Sequence, residues 1–217
     1  MTIIHNIMEF MINRWRLTLW LVASAPALSA GAAPASWTSA ERQAFTVCWD
    51  APGFPEEKSW VQDVVEREYG HRGFLNAVSW RDCSEAPEAL LHISIFDQGA
   101  HTLALGRNLA QRTHGLVLNF TFRHWSRSCQ TNPKACIEGI AVHEFGHVLG
   151  LRDALISHPD DPASCGGQSL KHTTEDEDDG GTSVADHDSV MNYCNPSWRG
   201  AVLSAGDVAV LKEILGD

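Results

Sequence analysis

Residues 141–153 read Ala141-Val142-His143-Glu144-Phe145-Gly146-His147-Val148-Leu149-Gly150-Leu151-Arg152-Asp153, and this stretch decides how the chain is understood. Upstream, Asn132 suits a helix N-cap and Pro133 its first turn. Gly150 suits its end. Ile137, Ile140, Ala141, Val148 and Leu149 are expected to form the buried face. On such a helix His143 and His147, four residues apart, stand one above the other. Two imidazoles placed so can share one cation. Glu144 is adjacent and can reach a water on that cation. Zinc lowers the pKa of such a water toward neutrality, a carboxylate takes its proton, and the metal polarises the carbonyl under attack. That is the chemistry of amide hydrolysis.

The surroundings strengthen the reading. The helix is apolar around the motif, so two unliganded imidazoles there would be costly. Gly150 permits a sharp turn that carries Asp153 back toward the metal as a third ligand. His158, five residues further on, is the alternative ligand, and His187 a more remote one. His5, His71, His92, His101, His114, His124 and His172 lack ligand-like spacing and read as surface or satisfied core positions.

The extended pattern His-Glu-x-x-His-x-x-Gly-x-x-Asp resembles that of the metzincin zinc metallopeptidases. In that clan the third ligand is usually His; Asp in its place is similar to the snapalysin family of small secreted bacterial enzymes. Ser189-Val190-Met191-Asn192-Tyr193 resembles the Met-turn, close to its astacin form. The resemblance implies that Met191 is the hydrophobic floor of the metal site. It also implies that Tyr193 stands near the zinc and steadies the oxyanion formed on attack. The stretch Leu203-Ser204-Ala205-Gly206-Asp207 looks like the start of the last helix in matrixins. The fold so implied is a metzincin-like α/β (α+β) domain of matrixin or astacin type. It has a twisted mixed sheet, an active-site helix, a Met-turn and a C-terminal helix. A strand near residues 101–105 would form the upper rim of the cleft, where an extended peptide pairs by strand addition.

The flanking pattern agrees with an α/β chain. Residues 44–49 read as a short buried strand. Ser59 is expected to cap a helix carrying Trp60, Val61, Val64 and Val65 and ending near Gly70. Residues 74–80, 89–96, 101–105 and 115–122 read as further strands. A final helix is expected over residues 207–215, capped by Ser204 or Gly206 with Asp207 in its first turn.

The 217 residues suit one domain, with 44% hydrophobic and 20% charged residues. Arg14 and Arg16 precede an apolar run at 17–28 and small residues at 29–35, the layout of a secretory signal. The expected division is a signal over 1–35, cleaved near 30–35, and one metallopeptidase domain over 36–217. Few residues separate the signal from the first strand, so latency through an inhibitory pro-segment is not expected. Six cysteines follow the signal: Cys48, Cys83, Cys129, Cys136, Cys165 and Cys194. An even number in an exported chain reads as three disulfides. Fifteen connectivities exist; the pairing expected here is sequential, Cys48–Cys83, Cys129–Cys136 and Cys165–Cys194.

The formal net charge is −11. Residues 153–188 hold ten acids against one base, Lys171. With no basic patch, nucleic acid is a poor partner, and an anionic membrane would repel the chain once the signal is gone. The acidic run at 175–179, with Asp186 and Asp188, offers carboxylates of the kind Ca2+ takes, but without EF-hand spacing it reads as a solvated loop. Asn119-Phe120-Thr121 is a glycosylation sequon within an apparently buried strand. The overall expectation is a secreted or periplasmic monomer that takes one catalytic Zn2+ and acts on protein or peptide substrates. The alternatives are a zinc-stabilised binding module and a zinc hydrolase of cell-wall or small amides.

Overall fold

A computed structural model describes residues 35–124, 127–154, 186–193, 195 and 200–217. Residues 1–34 of the expected signal, His158, Cys165, His172, the acidic run at 175–179 and Cys194 lie outside these residues.

Five strands form one mixed sheet: β1 (Thr46–Trp49), β2 (Ser79–Asp82), β3 (Leu91–Ile95), β4 (His101–Thr102) and β5 (Leu116–Leu118). Their order is β2-β1-β3-β5-β4. The first four in that order run parallel, and β4 pairs antiparallel with β5 at the edge. Alternation along the strands divides the residues between two faces. Val47, Trp49, Leu91 and Ile93 join the main core, whereas Cys48 belongs to a small separate cluster with Ala86 and Ala89.

The helices are α1 (Ser39–Gln43), α2 (Pro55–Val65), α3 (Arg127–Thr131), α4 (Pro133–Leu149) and α5 (Ala205–Leu215). A π-helical turn, Glu66–Gly70, extends α2. It holds buried Glu68, which pairs with Arg67 and Arg72 and accepts from the Leu203 N–H. That carboxylate ties the end of α2 to the approach to α5. Helix α4 sits in the core. Tyr69 donates to Val142 O at 2.5 Å, and Trp37 Nε1 donates to Val148 O at 2.6 Å. The Phe145 ring packs on Tyr69 and Trp80 at centroid distances of 6.3 and 6.0 Å. Each such large side chain contributes roughly 1.5–3 kcal/mol on burial.

Several boundaries differ from the sequence expectations. Helix α2 begins at Pro55 rather than at Ser59, because proline suits a first turn whose N–H is unpaired. Ser59 lies inside it and donates to Glu56 O. Residues 74–78 are not strand: Phe74 and Leu75 plug the core from a turn, and β2 starts at Ser79. Strand β5 stops at Leu118 because the Asn119 side chain accepts the Thr121 and Phe122 N–H groups, closing a turn. Asn119 is buried, with its amide also donating to Asp97 and Gln98 O, so the sequon is shielded. The buried face expected for α4 is too narrow, since every residue from Ala141 to Leu149 is buried and Ile140 is only partly so. The last helix starts at Ala205, two residues early, with Ser204 as its cap.

Cys48 is bonded to Cys83, and Cys129 to Cys136. Among the described residues, no helix is long and apolar enough to cross a membrane.

Candidate metal centre

Helix α4 ends in a Schellman turn. The Gly150 N–H bonds to His147 O at 3.0 Å, and the Leu151 N–H reaches Gly146 O at 2.9 Å. Gly150 has φ 107°, a region open to glycine and strained for other residues. This turn reverses the chain at the motif. Two residues later the Asp153 carboxylate meets both histidines, with Oδ1 3.1 Å from His143 Nε2 and 3.2 Å from His147 Nε2.

Each imidazole is oriented from behind. His143 Nδ1 lies 2.9 Å from Val190 O, and His147 Nδ1 lies 2.9 Å from Leu151 O. A carbonyl only accepts, so each Nδ1 carries a proton, and with the rings in their neutral form each Nε2 lone pair turns toward Asp153. Three acceptor atoms therefore face one another, which a shared cation resolves. Ligand atoms about 2.0–2.1 Å from one tetrahedral zinc stand about 3.3 Å apart. The observed spacings match that, and the residues fit the ion. The supporting carbonyls are the outer partners that zinc-binding histidines ordinarily have.

Glu144 is buried beside this group, and its Oε2 has no hydrogen-bond partner among the described residues. Burial pushes its pKa up to about 7. The charge on Asp153 adds to the rise and His143 opposes it. A buried unpartnered carboxylate is costly and calls for a role.

The segment 189–193 closes the floor. Met191 is buried, and a Cβ built on Gly146 would stand 2.5 Å from its sulfur. Glycine at 146 is what lets Met191 press against the helix between the two histidines. The Ala154 N–H bonds to Met191 O at 3.0 Å and the Tyr193 N–H to Ala154 O at 3.1 Å, so the chain after Asp153 is tied to this segment. The Tyr193 ring lies 5.0 Å from the His143 ring. Burial, then the Asp153 and Glu144 carboxylates and a hydrogen bond with Asp153, raise the phenol far above its ordinary pKa. Tyr193 therefore stays protonated, a donor next to the ligands.

The structure thus brings His143, Glu144, His147, Asp153, Met191 and Tyr193 together. His187 is not in the cluster of ligand atoms among the described residues, and Asp186 accepts from Ser204 Oγ. Sequence reading did not find the support from Asp207. Its buried carboxylate accepts Ser189 Oγ at 2.5 Å and the Val190 and Ser204 N–H groups at 3.0 Å each. It therefore holds Val190, whose carbonyl orients His143. The signal was the capping-box pattern from Ser204 to Asp207, which marks a helix start but says nothing of residue 190.

No family model matches the chain, and no curated protein matches its sequence. Two solved structures of myroilysin resemble it. One aligns with TM-score 0.56 at 14% identity, over 86% of this chain and 87% of that one. The other gives TM-score 0.53 at 14% identity, over 84% and 96%. A crystal structure of an archaemetzincin from Methanopyrus kandleri aligns at TM-score 0.44 and 11% identity, over 81% and 96%. The mixed α/β fold is shared with myroilysin.

Proposed function

We propose that this chain is a zinc-dependent endopeptidase of the metzincin type, made with a signal over residues 1–35 and acting as a secreted or periplasmic domain over 36–217. The observation that carries the reading is the convergence of His143 Nε2, His147 Nε2 and Asp153 Oδ1, with both Nδ1 atoms occupied by carbonyls. The fold likeness to myroilysin and the two disulfides, which suit an oxidising compartment, support it.

His143, His147 and Asp153 would hold the ion. When bound, zinc supplies a Lewis acid that acidifies a water and polarises the substrate carbonyl. Glu144 takes the proton from the attacking water and delivers it to the leaving amine. A carboxylate whose burial already favours the protonated form is suited to carry that proton between the two steps. Tyr193, held protonated, donates to the carbonyl oxygen as negative charge grows there. Met191 shapes the floor. Edge strand β4 offers backbone groups to an extended substrate, with exposed Leu103 just beyond it.

The test is metal content and cleavage of a general protein substrate by wild type and Glu144→Gln. One equivalent of zinc in both, with activity at least about 100-fold lower in the variant, is the expected result. Zinc in both with no cleavage by either would favour a binding module. Folded protein that takes no zinc would overturn the reading.

A further inference from the structure

A second group of metal-ligating atoms lies on the opposite face of the sheet, and the proposed peptidase does not use it. Cys48 and His92 are direct neighbours in the β1–β3 register. Asp50 lies two residues beyond Cys48 and so shares its face. Cys83 follows β2 and is bonded to Cys48. One ligand atom from each of Cys48, Asp50, Cys83 and His92 falls within 4.8 Å of the others.

The imidazole here is oriented as in the first centre. His92 Nε2 stands 3.1 Å from Pro87 O, so Nε2 carries the proton and Nδ1 presents a lone pair in the neutral ring. That lone pair faces Cys83 Sγ at 3.7 Å and Asp50 Oδ1 at 3.8 Å. Neither a disulfide sulfur nor a carboxylate oxygen has a proton to donate. The other oxygen of Asp50 is held from behind, accepting from Ser94 Oγ at 2.5 Å with His114 Nδ1 at 3.3 Å. Oδ1 is left directed at the group. His92 is buried, and Asp50 is exposed, so an ion has a way in.

We infer that reduction of the Cys48–Cys83 bond turns this cluster into a tetrahedral site for a divalent ion of the zinc class, held by two thiolates, the His92 imidazole and the Asp50 carboxylate. A dithiol breaks the sulfur–sulfur bond, supplying two electrons and two protons, and itself becomes a cyclic disulfide. Binding of the ion by the two thiols then releases two protons to water. Thiolate, imidazole and carboxylate are all ligands that zinc takes in tetrahedral sites. The end of the sheet is therefore closed covalently in an oxidising compartment and by a metal in a reducing one. This does not rest on the proposed peptidase activity, since it concerns other residues and another readout.

The test titrates the full chain with Co2+, before and after anaerobic reduction by a dithiol. Thiolate ligation produces a near-ultraviolet sulfur-to-cobalt charge-transfer band, which a centre of two imidazoles and one carboxylate does not. The oxidised protein should show none. With the first centre filled beforehand by one equivalent of Zn2+, the reduced protein should develop the band over one further equivalent of Co2+, and a Cys129→Ser/Cys136→Ser variant should keep it. His92→Gln and Asp50→Asn should weaken binding by at least about 10- to 100-fold, the loss that removal of a mere supporting partner causes. The melting temperature of reduced wild type should rise more with Co2+ than that of reduced His92→Gln. No band in the reduced protein, a band indifferent to His92→Gln and Asp50→Asn, or equal gains in melting temperature would each overturn the inference.

Discussion

Two places in this molecule aim histidine lone pairs at a carboxylate, and they are built differently. At the end of α4, His143, His147 and Asp153 lie close together along the chain, set by one helix and one glycine turn. Across the sheet, Cys48 and His92 lie in β1 and β3 while Asp50 and Cys83 lie just past β1 and β2, so the group depends on strand register. In both, a backbone carbonyl fixes the imidazole. At the first the cation has no covalent rival. At the second a disulfide occupies the sulfur ligands. Local geometry alone would make the proposed first site; a site assembled across strands can be closed by other chemistry.

The first centre should be most sensitive to its distant support. Asp207→Ala strips the acceptor from Ser189 Oγ and from the Val190 and Ser204 N–H groups. We expect a loss of about 3–5 kcal/mol in stability from several unmet buried donors, with zinc affinity down about 10- to 100-fold. Denaturant unfolding and competition with a chelator measure both. Unchanged zinc affinity would mean that Val190 does not need Asp207 to orient His143.

Gly146→Ala brings a methyl against Met191, and about 1–3 kcal/mol should be lost to overpacking. Gly150→Ala places a side chain at φ 107° and should cost about 1–2 kcal/mol. If the Schellman turn positions Asp153, Gly150→Ala should also raise the zinc dissociation constant, whereas Gly146→Ala should act chiefly through stability. Thermal melts with and without zinc distinguish the two.

In the oxidised protein, Ser94→Ala removes a hydrogen bond to Asp50 on the other face of the sheet and should cost about 1 kcal/mol. Proteolytic activity should be unchanged, in contrast to Asp207→Ala. A matching loss of activity would show that the two faces are coupled.

The smallest effect is expected far from both. Asp217 pairs with the buried Arg42 at 2.8 Å, and that hydrogen bond, against a smaller opposing effect of burial, holds its carboxyl below the ordinary range. A depressed folded pKa stabilises above the unfolded value, about 3.9, and that gain fades as pH falls through the lower folded value. Asp217→Asn should therefore cost under about 1 kcal/mol at neutral pH, since the pair is partly exposed and screened. The difference from wild type should shrink in acid. Urea melts at pH 7 and pH 3 would show it, and a growing difference in acid would refute the pairing.

Helix α4 was legible because its signals are local: Pro133 at the start, Gly150 at the end, histidines at helical spacing. The extent of β5 was not, because Val117 and Asn119 belong to one apolar-looking run until the Asn119 side chain captures the next backbone donors. The same limit explains Asp207. As an acid in the first turn it reads as a complement to the helix dipole, yet its three donors include two from residues 189 and 190. His92 was set aside as lacking ligand spacing, since a period of two along one strand says nothing about which residue faces it on the next.

What the sequence determined by itself is whatever one helix and one turn can hold: two imidazoles four apart, a carboxylate between them, a glycine to bring Asp153 back. Helical spacing and left-handed glycine geometry act over a few residues, so they can be read in order along the chain. Only the tertiary structure decided which carbonyls fix the rings, that Met191 lies against Gly146, and that Cys48 and His92 are neighbours. Those contacts join residues from distant parts of the chain through sheet register and close packing, which no local pattern encodes.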